Sequence, residues 1–308
     1  MQAAASAKKN VIVTGANSGL GLWTTRHLLD LGYQVILACR DVNKTKQVMA
    51  KLPKVYPENA FRIKKLDLAD FTSIRSFVLN LPDDEKIYGL VCNAGISYEG
   101  DFRYTKNGIE ETFGTNCVGH FLLTLLLVEK FEPIRIVLVS SELHNPNNKS
   151  PFAKADLKSV NEMAYPKADL NSTVQKQTQS FYATSKLCEV MFTYELARRL
   201  RAGNKNTAVK INAINPGLML LTRLGRTYKF GEKLYRWILH SIFKMIGIAD
   251  HPKDSGKAVA ALIDSCTTTA TYYDKFNIVP SSEESYDVKK AKQLWEDTNK
   301  LIESIAGN

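Results

Sequence analysis

The sequence has few residues of the kinds that build disulfide frameworks, metal sites and membrane spans. Its five cysteines are odd in number, scattered and without a Cys-x-x-Cys pair, and its five histidines are equally scattered. This pattern predicts free, mostly buried thiols in a reducing compartment and argues against a metal site. No apolar run reaches the roughly 18 residues that a membrane span needs, and residues 1–9 are too short and polar for a secretory signal. The expected location is therefore the cytoplasm.

The charge is strongly unbalanced. The formal net charge is +10, which suits an anionic partner such as nucleic acid, a membrane surface or a phosphate-bearing cofactor. No arginine-rich tract or nucleic-acid motif is present, so nucleic acid is not an expected partner. Most of the excess is interpreted as solvated surface, and part of it as serving an anionic cofactor.

The first forty residues predict a βαβ unit. Asn10–Thr14 is a short β-branched strand, followed by a glycine-rich turn, a helix to about Leu31 and a second strand, Gln34–Cys39. Such a unit holds a pyrophosphate at the N-terminus of its helix. The turn, from Gly15 to Gly21, has the spacing Gly-x-x-x-Gly-x-Gly rather than Gly-x-Gly-x-x-Gly, but it lies between strand and helix as such a site requires.

Strands and helices alternate along the rest of the chain, which predicts a parallel sheet covered by helices on both faces. The predicted fold class is α/β, a Rossmann-type doubly wound sheet of about seven strands in a single domain over residues 1–308. No internal repeat or composition break indicates a second domain. Further strands are expected at 61–66, 88–92, 134–139, 209–214 and 275–279. Further helices are expected at 42–52, 71–81, 107–131, 180–202, 222–247, 253–265 and 288–305, with a long polar loop at 142–179.

Polar or glycine-bearing residues follow six of these strands. They are Gly15, Arg40, Asp67, Asn93, Ser141 and Pro216. Ligands of open parallel sheets bind outside the carboxyl ends of the strands, so all six are expected to face one crevice. Loops are polar in general, but six such positions in succession favour a ligand site.

Tyr182 and Lys186 lie four residues apart in a predicted helix, and therefore on one face of it. An ammonium beside a phenol favours the phenolate and is expected to lower the pKa of the tyrosine from its ordinary value of about 10. Such a pair can donate a proton to a carbonyl oxygen or accept one from an alcohol. An inert surface pair is the alternative interpretation of these two residues by themselves.

Together these motifs resemble the short-chain dehydrogenase/reductase family, over residues 10 to about 222. The resembling set, in family order, is Thr14-Gly15-x-x-x-Gly19-x-Gly21, Asn93-Ala94-Gly95, Asn116, Ser141, Tyr182-x-x-x-Lys186 and Pro216-Gly217. Within the family the chain is most similar to the retinol dehydrogenase and protochlorophyllide reductase branch. The segments that carry this similarity are Ala38-Cys39-Arg40-Asp41, Thr115-Asn116-x-x-Gly119-His120-Phe121 and Trp295-x-x-x-x-Lys300-Leu301.

The resemblance implies catalytic roles. Tyr182 would be the general acid/base, and Lys186 would lower its pKa and hold the nicotinamide ribose. Ser141, rather than its neighbour Ser140, would hydrogen-bond the substrate oxygen. Asn116 would support a water that links Lys186 to solvent.

The resemblance also implies an extended cofactor site. Asp67 would hold the adenine, and Asn93 would stabilise the sheet beside the cofactor. The full implied cofactor-binding set is Gly15, Asn17, Ser18, Gly19, Leu20, Arg40, Asp67, Leu68, Asn93, Ala94, Gly95, Tyr182, Lys186, Pro216, Gly217 and Thr222.

The choice of cofactor depends on the end of the second strand. A carboxylate there binds the ribose hydroxyls of NAD, whereas an arginine suits the 2′-phosphate of NADP. The position holds Cys39, followed by Arg40, so NADP is the predicted cofactor. Asp41 leaves NAD as the alternative if its carboxylate, rather than Arg40, faces the ribose.

Two departures from the family pattern bear on the reaction. The threonine often found four residues after Pro-Gly is Leu221 here, and Thr222 follows it. Light-dependent protochlorophyllide reductases carry cysteine directly after Pro-Gly, where this chain has Leu218, and tend to lack the serine that Ser141 supplies. NADP-dependent oxidation or reduction of an alcohol or carbonyl is therefore the predicted activity. Reduction of a carbon–carbon double bond and a non-catalytic cofactor-binding regulator are the alternatives.

The segment at about 219–250 is interpreted as a lid over a lipophilic small-molecule substrate. Within it, residues 228–246 carry an approximate helical stripe of Leu, Trp, Ile and Met flanked by Lys and Arg. Peripheral membrane contact is an alternative role for such a basic amphipathic helix, and packing against the protein's own core is another. A monomer or a homodimer is expected.

Overall fold

The computed structural model describes residues 9–52, 56–98, 100–131, 134–148, 154–167, 172–203, 209–218 and 250–306. The strands within them are β1 (Asn10–Thr14), β2 (Gln34–Cys39), β3 (Phe61–Lys65), β4 (Ile87–Cys92), β5 (Arg135–Val139), β6 (Lys210–Asn215), β7 (Thr271–Asp274) and β8 (Asn277–Ile278). They form one sheet of eight strands in the order β3-β2-β1-β4-β5-β6-β7-β8. Only β8 is antiparallel to its neighbour. The predicted doubly wound, largely parallel sheet is confirmed, with one strand more than expected.

Helices cover both faces of the sheet. They are α1 (Gly19–Asp30), α2 (Val42–Ala50), α3 (Phe71–Leu79), α4 (Gly119–Lys130), α5 (Val160–Ala164), α6 (Val174–Ala202), α7 (Pro252–Asp264) and α8 (Val288–Ala306). A π-helical segment, Phe113–Val118, directly precedes α4, and short 3₁₀ turns occupy Glu58–Ala60, Glu142–His144 and Glu283–Tyr286.

Two buried apolar clusters hold these layers together. One lies between the sheet and α3, α4, α6 and α8, and the other lies between the opposite face and α1, α2 and α7. Successive strand residues point to opposite faces, so Ile12 joins the first cluster while Val11 and Val13 join the second. This two-sided burial explains why the central strands β1, β2, β4 and β5 are largely continuous apolar runs rather than alternating ones. All five cysteines are buried and free, as predicted.

Two helices in the middle of the chain, α6 and the one predicted over 107–131, differ from their predicted bounds. Helix α6 begins at Val174 rather than at residue 180, because the Thr173 hydroxyl accepts a hydrogen bond from the N–H of Lys176 at 3.3 Å and caps it. Its first turns are largely polar, so hydrophobic periodicity did not reveal them, and the predicted loop at 142–179 was too long. The helix predicted over 107–131 begins only at residue 111.

The last part of the sheet also differs from the prediction. The single strand expected at 275–279 is replaced by β7, which lies earlier, and the antiparallel β8. Lys275 has a φ of 53°, in the left-handed region, and therefore forms the turn between them rather than part of a strand.

The strand register places the carboxyl ends of the parallel strands at one edge. Thr14 pairs with Ala38, and Cys92 pairs with Leu138. The residues that follow these strands therefore meet at this edge. The direction of strand order reverses between β1 and β4, and a ligand crevice is expected at such a switch point.

The predicted lid at about 219–250 lies outside the described residues, apart from Asp250. Thr222, the helix expected at 222–247 and the stripe at 228–246 lie outside them as well. Across the described ranges, no helix has both the length and the apolar character to cross a bilayer.

Candidate active site

The glycine turn after β1 is packed too closely for other side chains. Gly15 has a φ of 64°, and a Cβ there would lie 3.0 Å from the Cα of Ala94. A Cβ on Gly21 would lie 2.5 Å from the carbonyl oxygen of Gly15. The turn therefore presses against the loop after β4, and helix α1 begins directly beside it.

The N-terminus of α1 suits an anion. Ser18 is its N-cap residue, but the Ser18 side chain makes no capping hydrogen bond, and no acidic residue occupies the first turn. The first N–H groups of a helix have no partner within it and carry a partial positive charge. These groups and the glycine turn fit the pyrophosphate of a dinucleotide. Leu20, in the first turn of α1, is buried.

The loop after β2 separates the roles of Arg40 and Asp41. One oxygen of the Asp41 carboxylate accepts a hydrogen bond from the N–H of Lys44 at 2.9 Å and caps α2. Arg40 is exposed at the carboxyl edge of the sheet. The Asn17 amide donates to the Thr45 hydroxyl at 3.0 Å, which ties the glycine turn to α2.

Hydrogen bonds fasten the end of β4 to the end of β1. The Thr14 hydroxyl oxygen accepts from the N–H groups of Asn93 and Ala94, both at 2.9 Å. The Asn93 side-chain amide donates to the Thr14 carbonyl oxygen at 2.7 Å. Asn93 therefore holds together the two strand ends that flank the switch point.

A buried histidine extends this network to the middle of the site. His120 Nδ1 lies 2.9 Å from the Asn116 carbonyl oxygen, which can only accept, so Nδ1 carries the proton. Burial lowers the pKa of His120 to about 4, so at neutral pH Nε2 can only accept. It lies 3.0 Å from the Thr14 hydroxyl, whose single proton it shares with the Val91 carbonyl at 3.2 Å. His120 thus couples the backbone of Asn116 to the end of β1.

Asn116 lies in the π-helical segment and clamps the loop after β4 against α6. Its Oδ1 accepts from the Ile96 N–H at 2.8 Å, and its Nδ2 donates to the Ile96 carbonyl at 3.0 Å and to Ser185 Oγ at 3.1 Å. Single π-turns within helices recur at functional sites. The implied role of Asn116 in holding a water stays a prediction.

Helix α6 is bound to the end of β5 by two hydrogen bonds. Lys186 Nζ donates to the Val139 carbonyl at 2.7 Å, and Ser140 Oγ donates to the Lys186 carbonyl at 2.9 Å. Ser140 is buried, whereas Ser141 is partly exposed. Among the described residues, Ser141 Oγ accepts one long hydrogen bond, from the Leu143 N–H at 3.3 Å. Because the Ser140 hydroxyl is already hydrogen-bonded to α6, Ser140 is unsuitable for binding the substrate oxygen, and Ser141 is favoured for that role.

Tyr182 lies one turn before Lys186 on α6, at the same edge of the sheet. Lys186 Nζ is 5.6 Å from the centre of the Tyr182 ring. A Cβ on Gly95 would lie 3.9 Å from Lys186 Nζ and 3.5 Å from Asn116 Oδ1, so the loop after β4 approaches both side chains closely. The structure therefore brings Asn116, Tyr182 and Lys186 together beside the end of β5.

The structure adds one residue that the sequence analysis missed. This residue is Glu189, whose two carboxylate oxygens lie 3.1 and 3.0 Å from Lys186 Nζ. The two side chains are only 4% and 2% exposed. The available signal was the spacing Lys-x-x-Glu, which puts both residues on one face of a helix.

Burial and this ion pair together set the acidity of Tyr182. Burial raises the pKa of the Tyr182 phenol, the Lys186 ammonium lowers it, and Glu189 raises it again, so the pKa lies above its ordinary value. Lys186 therefore lowers this pKa as predicted, but burial and Glu189 outweigh its effect. Burial raises the pKa of Glu189 to about 7. Burial acts to lower the pKa of Lys186, but Glu189 and Tyr182 together outweigh it and leave that pKa raised.

The remaining predicted positions lie at the ends of β3 and β6. Asp67 is partly exposed after β3, with one carboxylate oxygen accepting from the Ala69 N–H at 3.1 Å, and Leu68 is buried. After β6, the Pro216 carbonyl accepts from Ser255 Oγ at 2.6 Å, and Gly217 has a φ of 89°. Their roles toward a cofactor stay predictions.

Comparisons with known proteins show which sequences this chain resembles. The sequence profile of the short chain dehydrogenase family matches residues 9–151. The chain is 33% identical over 307 residues to retinol dehydrogenase 13 of Mus musculus, covering 96% of this chain and 84% of the relative. It is 33% identical over 322 residues to the chloroplastic protochlorophyllide reductase of Daucus carota, covering 96% and 78%.

The fold also has a solved counterpart. A crystal structure of 3-ketoacyl-(acyl-carrier-protein) reductase from Brucella melitensis, complexed with NADH, matches with a TM-score of 0.61. The sequence identity is 20%, over 87% of this chain and 97% of that one. At this identity the likeness bears on the fold, which is the Rossmann-type sheet already described.

Proposed function

This chain belongs to the short-chain dehydrogenase family and is an oxidoreductase, and we propose that it transfers a hydride between NADP and a lipophilic carbonyl or alcohol. The observation that carries the proposal is that α6, which bears Tyr182 and Lys186, is hydrogen-bonded to the end of β5, and Ser141 follows directly after that strand end. A proton-transferring phenol in that place serves hydride chemistry, and a purely regulatory protein has no need of one.

Each residue has a distinct task in the proposed reaction. The nicotinamide cofactor supplies or accepts the hydride when it is bound. Ser141 and Tyr182 hydrogen-bond the substrate oxygen, which fixes the reacting carbon. During reduction the Tyr182 O–H bond breaks and its proton passes to the carbonyl oxygen, while the carbonyl carbon gains the hydride. During oxidation the phenolate takes the alcohol proton back, and the Lys186 ammonium stabilises that phenolate.

Two features support a lipophilic carbonyl or alcohol as the substrate. The relatives above are named for retinol and protochlorophyllide, both of them lipophilic small molecules. Ser141 suits the polarisation of a carbonyl oxygen, which favours alcohol and carbonyl chemistry over carbon–carbon double-bond reduction.

Five expectations stay predictions. They are the lid at 219–250, membrane contact through 228–246, the single domain, the cytoplasmic location and the monomer-or-homodimer state.

A substrate screen that follows NADPH absorbance tests the reaction. We expect NADPH consumption with apolar aldehydes or ketones, and its formation from NADP with the matching alcohols. Consumption only with conjugated alkenes would instead support double-bond reduction. Cofactor binding by calorimetry without turnover on any class would support the regulator and contradict the proposal.

Replacing Arg40 with alanine tests the choice of NADP. The variant should raise KM for NADPH by about 10- to 150-fold, because a guanidinium–phosphate contact is worth about 1.5–3 kcal/mol. KM for NADH should hardly change, since NADH lacks the 2′-phosphate. Steady-state kinetics with both cofactors measure this effect. An equal or lower wild-type KM for NADH would show that Asp41, although it caps α2, determines the preference.

A further inference from the structure

The ammonium group of Lys186 is fully engaged within the part of the chain that the structure describes. It has three N–H donors. One serves the Val139 carbonyl at 2.7 Å, and the Glu189 carboxylate oxygens take the others at 3.0 and 3.1 Å. Lys186 therefore faces a buried carboxylate, while the phenol it is expected to assist lies one turn away on the same helix.

The groups around this ion pair carry no compensating charge at neutral pH. Burial raises the pKa of the Cys92 thiol of β4 to about 12. Contact with Cys188 and burial raise the pKa of the Cys117 thiol of the π-helical segment. His120 of α4 is neutral, because burial lowers its pKa to about 4. The charges that face Tyr182 from the described elements are therefore those of Lys186 and, on the same helix, its carboxylate partner.

We propose that Glu189 is a positioning residue that cancels the charge of Lys186 and thereby keeps Tyr182 in its protonated, proton-donating form. The catalytic meaning of this proposal rests on the proposed function, whereas its electrostatic content does not. With Glu189 ionised, loss of one proton from Tyr182 and Lys186 takes the buried cluster from net zero to net −1. Without Glu189 it takes the cluster from +1 to zero. Creating net charge away from water is the costlier step.

The direction in which Glu189 shifts this proton loss does not depend on whether Tyr182 or Lys186 loses the proton. Tyr182 and Lys186 are coupled, so their titration belongs to the pair. Removing a nearby negative charge eases proton loss from either group. Carbonyl reduction needs the protonated phenol, so Glu189 keeps this reaction active to higher pH. Alcohol oxidation needs the phenolate, so Glu189 also moves the pH at which the oxidation rate rises to a higher value.

The Glu189→Gln variant tests this role, because it keeps the shape of the side chain and removes the charge. The pH profile of kcat/KM for alcohol oxidation should have its midpoint about one pH unit or more below that of the wild type. The alkaline fall of carbonyl reduction should move down by the same amount. An unchanged or higher midpoint would overturn the proposal.

Glu195→Gln is the matched control on the same helix. The Glu195 side chain is 6% exposed and binds Arg198 at 2.9 Å and Arg199 at 2.7 Å, but not Lys186. We expect the midpoint to stay at the wild-type value in this variant, and an equal shift in both variants would overturn the proposal. Glu189→Asp keeps the charge and should restore a midpoint above that of Glu189→Gln.

A second readout works without turnover. Carbon-13 labelling at the tyrosine Cζ allows an NMR pH titration of the cofactor-free protein, in which the Tyr182 signal is the one lost in Tyr182→Phe. Its midpoint should fall in Glu189→Gln and stay in Glu195→Gln. If it falls while no substrate is turned over, the proposed function fails and the role of Glu189 stands. If it does not fall, the role of Glu189 is wrong, whatever the activity. Glu189→Asn is the second uncharged variant should the glutamine not fold.

Discussion

Replacing Tyr182 with phenylalanine is expected to lower kcat/KM for a lipophilic carbonyl by about 10²- to 10⁴-fold, the usual contribution of general acid–base catalysis. The change removes one hydroxyl and keeps the ring beside Lys186 Nζ, 5.6 Å from its centre. NADPH affinity should be retained, because the glycine turn and the N-terminus of α1 are untouched. Initial rates from NADPH absorbance and a fluorescence titration of NADPH measure the two effects separately.

Tyr194→Phe is the control for this variant. Tyr194 lies on the same helix, is buried, and has its hydroxyl 2.7 Å from Ser281 Oγ. Losing that hydrogen bond should lower the free energy of unfolding by about 1 kcal/mol and leave kcat/KM unchanged. Turnover by Tyr182→Phe at the wild-type rate would contradict the proposed mechanism, and a loss of NADPH binding would indicate that the hydroxyl acts through the cofactor site.

Lys186→Met is expected to lower the free energy of unfolding by about 3–5 kcal/mol at neutral pH, which is the usual result of removing one partner of a buried ion pair. It leaves Glu189, which is 2% exposed, without its cation. The Val139 carbonyl also loses its donor. Urea unfolding followed by circular dichroism measures the difference.

The loss of unfolding free energy in Lys186→Met should grow as pH rises. Without Lys186, the pKa of Glu189 should rise further above its ordinary value of 4.5, because burial is no longer offset. Between that ordinary value and the raised one, the folded state binds more protons than the unfolded state. Stability therefore falls as pH rises, and the deficit should be small near about pH 5 and large near about pH 8.

Lys186→Met/Glu189→Leu separates the unpaired charge from the loss of packing. Replacing both members of a buried ion pair with apolar side chains is often neutral. We expect the double variant to recover most of the loss and to show no such pH dependence, keeping a deficit of about 1 kcal/mol from the Val139 carbonyl. A double variant as unstable as the single one would show that Glu189 is not the source of the effect.

Local chemistry made the sheet and the glycine turn predictable. Strands buried on both faces are continuous apolar runs, so β1 and β2 were predicted with the bounds that the structure has. The start of α6 and the hairpin of β7 and β8 were not, because they depend on the Thr173 cap and on the left-handed conformation of Lys275. A single hydroxyl or a single turn residue leaves little periodic signal in a sequence.

By itself, the sequence determined the α/β class, the family resemblance and the positions after the strands that meet at one edge. These follow from spacing and residue type, which are properties of the chain. Only the tertiary structure decided that the Ser140 hydroxyl hydrogen-bonds α6, that Asp41 caps α2 and that Lys186 is paired with Glu189. Hydrogen-bond partners and the burial of a side chain depend on what the fold packs against it. The net pKa of Tyr182 is therefore raised by burial and by Glu189, although Lys186 lowers it as the spacing of the two residues predicted.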